Sequence, residues 1–315
     1  MKLVDVVTAY ITVKRTTGMR CRSAVDVLKA FCRTMGDIEL SEVSPQRVQA
    51  FVGGHGPVTS FWHQKYTVLD GFYRFAISRA YLETSPLPLV VPKCPPRLTP
   101  YIYSVAELRR LLEATARLHT PLSPLQATTF HTLLLLLYGS AMRISEALAL
   151  TLADVDLDQG LITVRDTKFY KTRWVPIGPK LTAALRTYAD KRGRLAVPAG
   201  DCSAFFVTRT GHPLSYKQAN QLFIRVRRYA AIQRDPAARY QPRLHDLRHT
   251  AIVHRVVAWH QAERDVGRLL LPLATYVGHA DITSTQHYLS MTPELWTAAS
   301  QRFEHYAHVE VCHES

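Results

Sequence analysis

The chain has 315 residues, enough for two ordinary domains, and 47% of them are hydrophobic, so each can bury a core. Lysine and arginine number 39 against 25 aspartates and glutamates, a net charge of +14 that favours a polyanionic partner. No apolar run reaches the roughly 20 residues of a membrane-spanning helix, the N-terminus carries Asp5 and no signal-peptide pattern, and five cysteines without CxxC spacing are expected to be reduced thiols of a cytoplasmic protein.

In chain order, helices come first. Leu3, Val6, Val7, Tyr10 and Ile11 share one helical face, and Val25, Leu28, Phe31 and Cys32 share another. Ser44-Pro45 reads as an N-cap followed by proline at the first helical position. A long amphipathic helix is expected over 59–82, with Phe61, Trp62, Tyr66, Leu69, Phe72, Tyr73 and Phe75 as core and Lys65, Arg74 and Arg79 among them. Those basic residues read equally as a phosphate-facing row or a solvated face. Six prolines between 86 and 100 exclude helix and central strand, so 1–84 is expected to be one domain, 85–102 a stiff linker and 103–315 a second domain. In that domain Ser104-Val-Ala-Glu is a capping box, and Ser123-Pro124 starts a helix that runs into Tyr138. Leu161-Ile-Thr-Val-Arg and Arg173-Trp-Val-Pro-Ile pair as a β-hairpin, and helices return after Pro179.

The residues that carry chemistry lie in this second domain. His245 and Arg248 are three apart, a spacing that puts both on one helical face, and Pro242 places His245 near a helix start, where free N–H groups favour a phosphate. His279 follows Gly278, and Tyr288 lies nine residues further on in Thr-Gln-His-Tyr-Leu, which sets it apart from the other fourteen tyrosines. Arg143 stands in Gly-x-x-x-Arg-x-x-Glu; alone it reads as a surface arginine paired with Glu146. His245 and His249 are four apart, as in zinc sites, but Asp246 replaces the glutamate that such hydrolases place beside the first histidine, and Arg248 brings a cation beside the second.

Across the second domain these residues resemble the tyrosine recombinases, the phage-integrase family, in that family's order of Arg, Lys, His-x-x-Arg, His and Tyr. The resemblance implies a catalytic set of Arg143, Lys168, His245, Arg248, His279 and the nucleophile Tyr288. Lys168 is reached by counting back from Val175-Pro176 to the family's hairpin lysine, although Thr-Lys-Phe replaces the usual Gly-Lys-Gly tip. Lys171, Arg173, Lys65 and Arg74 are taken as further DNA contacts. The implied fold is mainly α: an all-α, SAM-like core-binding domain, then an α+β catalytic domain with a small β-hairpin sheet and a C-terminal helical tail running from Thr292 through Tyr306.

The implied activity is site-specific recombination on double-stranded DNA, in the bacterial cytoplasm and at the nucleoid when bound. The implied assembly is a homotetramer on two synapsed sites; a monomer in solution is left open. Neither metal nor other cofactor is expected. Planar guanidinium forks of Arg143 and Arg248 bind the two oxygens on which charge develops, His245 accepts the phenolic proton, His279 holds a phosphate oxygen or the incoming group, and Lys168 protonates the departing 5′ oxygen. Tyr288 is left as a 3′-phosphotyrosine that conserves the bond energy. Two other readings stand beside this one: a type IB topoisomerase-like enzyme, and a DNA-binding relative without catalysis. The segment Leu271-Pro-Leu-Ala-Thr-Tyr is reminiscent of transposon-borne members.

Overall fold

In the computed structural model, residues 1–17, 22–54, 58–95, 98–165, 172–195, 197–238, 240–279 and 300 are described. The chain divides into two compact units, one formed by Met1–Leu98 and the other starting at Thr99.

The first unit is helical: α1 (Leu3–Thr16), α2 (Arg22–Met35), α3 (Pro45–Gly53) and α4 (Ser60–Ser78). Ser44 accepts the Arg47 N–H and Thr59 accepts that of Trp62, so both caps follow from side chains that satisfy otherwise orphaned donors. Leu3, Val6, Leu28, Phe31, Val48, Leu69, Phe72 and Tyr73 close the core; each large apolar side chain buried there contributes about 2 kcal/mol. Helix α4 stops at Ser78, short of the expected end, because Ala80 turns into the left-handed region at φ 56°. Beyond it, Leu87 is buried in this same core, and the Tyr66 hydroxyl donates to the Pro88 carbonyl (3.1 Å).

The second unit holds α5 (Val105–Ala114), α6 (Pro124–Ser140), α7 (Ile144–Ala149), β1 (Val155–Asp156), β2 (Leu161–Val164), β3 (Arg173–Pro176), α8 (Pro179–Gly193), α9 (Tyr216–Tyr229), α10 (Asp246–Gln261) and α11 (Val266–Val277). Helix α6 is apolar on nearly every side, and such a helix is buried on all of them: Phe130, Leu133, Leu134, Leu136 and Leu137 form the centre, with α5, α8 and α10 around it. A second cluster joins Ala141 to Ile252, Val253 and Val256 of α10 and to Val266, Leu270, Leu273 and Val277 of α11. That cluster brings the ends of α6 and α11 to the start of α10.

The expected hairpin is present as antiparallel β2 and β3, with Ile162 opposite Val175 and Val164 opposite Arg173, and β1 adds a short third strand that the sequence did not suggest. Alternation holds: Ile162, Val164 and Val175 face the core, whereas Trp174 is 71% exposed. Apart from Ser300, the expected tail over 292–306 falls outside the described residues, as do Lys168, Lys171 and Tyr288. No helix among the described residues is long and apolar enough to cross a membrane.

Candidate active site

Three chain turns meet at one place, and arginines tie them together. The first is the end of α6. Ala141 takes the left-handed conformation (φ 51°), which reverses the chain, and Arg143 then opens α7 in extended geometry. Glu146, one turn into α7, accepts the Arg143 backbone N–H and the Arg143 Nη1 (both 2.9 Å). The other terminal nitrogen of Arg143 reaches across to the Gly278 carbonyl (2.8 Å). The pairing of Arg143 with Glu146 and its approach to Gly278 are therefore not alternatives; one guanidinium makes both.

The second turn is the start of α10. His245 stands at its N-cap and Arg248 one turn on. Only 3% of Arg248 is exposed, and its fork spans two chain segments: Nη1 donates to the Ala141 carbonyl (2.6 Å) and Nη2 to that of Val277 (2.9 Å). A planar guanidinium presents donors in fixed directions, so it sets the distance between the segments it bridges. The His245 ring meets His249 edge to face, with centroids 4.9 Å apart. Burial lowers the His245 pKa, and the positive charges of Arg248, Arg243 and Arg143 lower it further, against the opposing carboxylate of Asp246. His249 is depressed to about 4, by burial first and then by His245. Near neutral pH both rings are therefore uncharged, the form in which an imidazole accepts a proton.

Asp246 is buried, and its carboxylate receives the Arg243 backbone N–H and Nη2 (both 2.8 Å). Thr250 donates to the Asp246 carbonyl and accepts the Tyr103 N–H. These residues support the helix start. Among the described residues no group of three or more His, Cys, Asp or Glu side chains is arranged to hold a metal ion.

The third turn ends α11. Gly278 caps it in the left-handed region (φ 70°), and the His279 N–H donates back to the Ala274 carbonyl (2.9 Å). Glycine is needed here twice over. A side chain at this φ costs about 1–2 kcal/mol, and a Cβ on Gly278 would lie 2.7 Å from Arg173 Nη1 and 2.8 Å from its Cζ. Gly278→Ala is expected to lower the melting midpoint by several degrees and to slow any reaction at this site. Gly278→Asn eases only the backbone cost, since asparagine tolerates the left-handed region. Full recovery of the midpoint in the asparagine variant would show that the approach of Arg173 is unimportant.

Arg173, expected as a DNA contact, has a different setting. It is 13% exposed, and its Nη1 and Nη2 grip both oxygens of Glu146 (3.1 and 2.8 Å) while Nε donates to the Tyr276 carbonyl (3.1 Å). Burial pushes the Glu146 carboxyl up, but Arg173 and Arg143 pull harder, and it is lowered to about 2. Of the basic residues expected on the first unit, Lys65 donates to the Phe51 carbonyl (2.7 Å) and lies over the Phe51 and Phe61 rings, whereas Arg74 is exposed beside Asp70. The structure thus gathers Arg143, Arg248, His245 and His279. It adds Glu146 and Arg173, whose mutual grip has no signal in local spacing because they are 27 residues apart.

Residues 104–294 match the family model described as "Phage integrase family". Among curated relatives, the protein named "Putative integrase/recombinase y4rE" of Sinorhizobium fredii is 34% identical, over 93% of each chain. "Tyrosine recombinase XerC" of Chlorobaculum parvum is 29% identical over 89% of this chain and 85% of its own. Among solved structures, the Tn1549 transposon integrase in complex with transposon right end DNA superposes with a TM-score of 0.68 at 17% identity, covering 98% of this chain and 100% of that one. With the family model spanning most of the chain and these relatives matching nearly end to end, the chain belongs to the phage integrase family of tyrosine recombinases, enzymes that break and rejoin DNA.

Proposed function

We propose that this chain cuts and rejoins double-stranded DNA at specific sites, with Tyr288 as the nucleophile and Arg143, Arg248, His245, His279 and Lys168 as its catalytic partners. The observation that carries the reading is the convergence of Arg143 and Arg248 on adjacent carbonyls of the Val277–Gly278 turn, directly before His279. The Arg143 Nη2 bears two N–H groups, so one can rest on the Gly278 carbonyl while the other is offered to a phosphate oxygen. The pair supplies fixed positive charge where a pentacovalent phosphate gains negative charge, without reorganisation at the moment of reaction. His245, uncharged near neutrality, takes the phenolic proton, and His279 steadies a non-bridging oxygen. Lys168 delivers the proton that turns the 5′ oxygen into a competent leaving group. The products are a 3′-phosphotyrosine and a free 5′ hydroxyl, and attack by a 5′ hydroxyl on that ester reverses the step.

In the same reading residues 1–84 form a core-binding domain, 85–102 a linker and 103–315 the catalytic domain, and four protomers assemble on two DNA sites. The net charge of +14 supports the phosphate contacts this requires.

The test is incubation with a nicked duplex from which the short cleaved end diffuses away. A denaturation-resistant protein–DNA adduct is expected, and recombinant product rather than relaxation alone separates this reading from a topoisomerase. The adduct should form equally well in EDTA, because arginines carry the charge that cations carry in two-metal nucleases. Cleavage abolished by chelator and restored by zinc would instead assign a metal to His245 and His249.

A further inference from the structure

Strand β3 enters the site through one side chain. The three donor positions of Arg173 point to three acceptors: both carboxylate oxygens of Glu146 and the backbone carbonyl of Tyr276. Glu146 also holds the backbone and guanidinium of Arg143. Tyr276 leads through Val277 and Gly278 to His279, and its hydroxyl donates back to β3 at the Pro176 carbonyl (3.2 Å). The close approach of the guanidinium to Gly278 leaves no room for a Cβ there. Arg173 is thus fixed on every side, with its charge satisfied by the partly buried carboxylate of Glu146, and a phosphate has no claim on it.

We propose that Arg173 is a positioning residue. It locks the Arg143–Glu146 turn and the Gly278–His279 turn onto strand β3, whose first residue is five along the chain from Lys168, so that Arg143, His279 and this strand keep one mutual placement. Lysine does not replace it: an ammonium carries its three donors on one nitrogen, whereas this role needs a planar fork plus a third N–H at a fixed angle. The inference rests on the strand-cleaving reading above and assigns within it a residue that does not touch the reacting atoms.

The test uses the full chain in single-turnover cleavage of the nicked duplex at saturating protein, with DNA affinity, its salt dependence and the melting midpoint measured alongside. Arg173→Lys is expected to slow cleavage by about 100-fold, the scale of a misplacement near 1 Å. Its affinity and salt slope should match the wild type. Glu146→Gln should act through the same lock, so Glu146→Gln/Arg173→Lys should be no slower than the slower single variant. In Arg173→Ala, free guanidinium chloride at tens of millimolar should restore part of the cleavage rate while sodium chloride of equal ionic strength does not.

A cleavage rate in Arg173→Lys equal to wild type overturns the proposal, as does a fall in affinity with a shallower salt slope, which would make Arg173 a phosphate contact. Multiplicative losses in the double variant overturn it too. A wild-type chain that forms no adduct would count against the strand-cleaving reading itself, whereas an active wild type with an unaffected Arg173→Lys sinks this inference alone.

Discussion

Tyr288→Phe is expected to abolish strand cleavage while leaving DNA affinity within a few-fold of wild type. The substitution removes one oxygen. If that oxygen is the nucleophile, nothing else in the proposed site replaces it, and the rate should fall by at least ~10,000-fold, the scale on which deleting a catalytic nucleophile acts. Binding should barely change, because one hydroxyl contact contributes about 1 kcal/mol. Gel-resolved covalent adducts and equilibrium binding on the same nicked duplex check both halves. Adducts that persist in Tyr288→Phe would remove it as nucleophile. Tyr276 would then be a poor substitute: its hydroxyl is committed to the Pro176 carbonyl and burial raises its pKa, both of which oppose formation of a phenolate.

What the sequence revealed and what it concealed divide along the length scale of the interactions. Helix starts at Ser44 and Ser104 follow from side chains that cap N–H groups three residues away, so a short window is enough to read them. The three-residue spacing of His245 and Arg248 is similarly local. Even the hairpin of β2 and β3 follows from alternation within two short runs. The end of α4 escaped because Ala80 adopts a left-handed backbone that alanine does not advertise. Strand β1 is two residues long and exists only because β2 pairs with it.

The site shows the same division more sharply. A pattern identifies Arg248 as an arginine at a meaningful spacing. It does not say that the guanidinium is buried and bridges Ala141 to Val277, contacts 107 and 29 residues away. Lys65 looked like a candidate for phosphate because basic residues among aromatics do; in the fold its ammonium is engaged by a carbonyl and two rings of its own unit. Arg173 reads in the sequence as one more DNA contact, yet in the fold its guanidinium is gripped by a carboxylate on helix α7. Charge in a sequence indicates that a partner is needed. Only the fold decides whether the partner is solvent, phosphate or the protein itself.

That distinction governs the second large effect, which concerns the two lysines preceding Arg173. If Lys168 protonates the departing 5′ oxygen, Lys168→Ala should cleave an ordinary duplex roughly 100- to 10,000-fold more slowly, the usual range for a lost general acid. On a duplex with a 5′-bridging phosphorothiolate at the scissile position the variant should regain near wild-type speed, because a thiolate departs without a proton. Lys171→Ala should behave in the opposite way. As a phosphate contact it should bind more weakly and lower the salt slope by about one unit, with no selective recovery on the sulfur substrate. The assignment depends on register, counted back from Val175-Pro176 through a Thr167-Lys168-Phe169 segment that lacks the glycines usual at this turn. The pairing of β3 with β2 anchors the end of that count at Arg173 opposite Val164. Were sulfur to rescue Lys171→Ala and not Lys168→Ala, the acid would be Lys171, two residues from Arg173 instead of five, and the lock that Arg173 makes with Glu146 and Tyr276 would act on it over a correspondingly shorter stretch of chain.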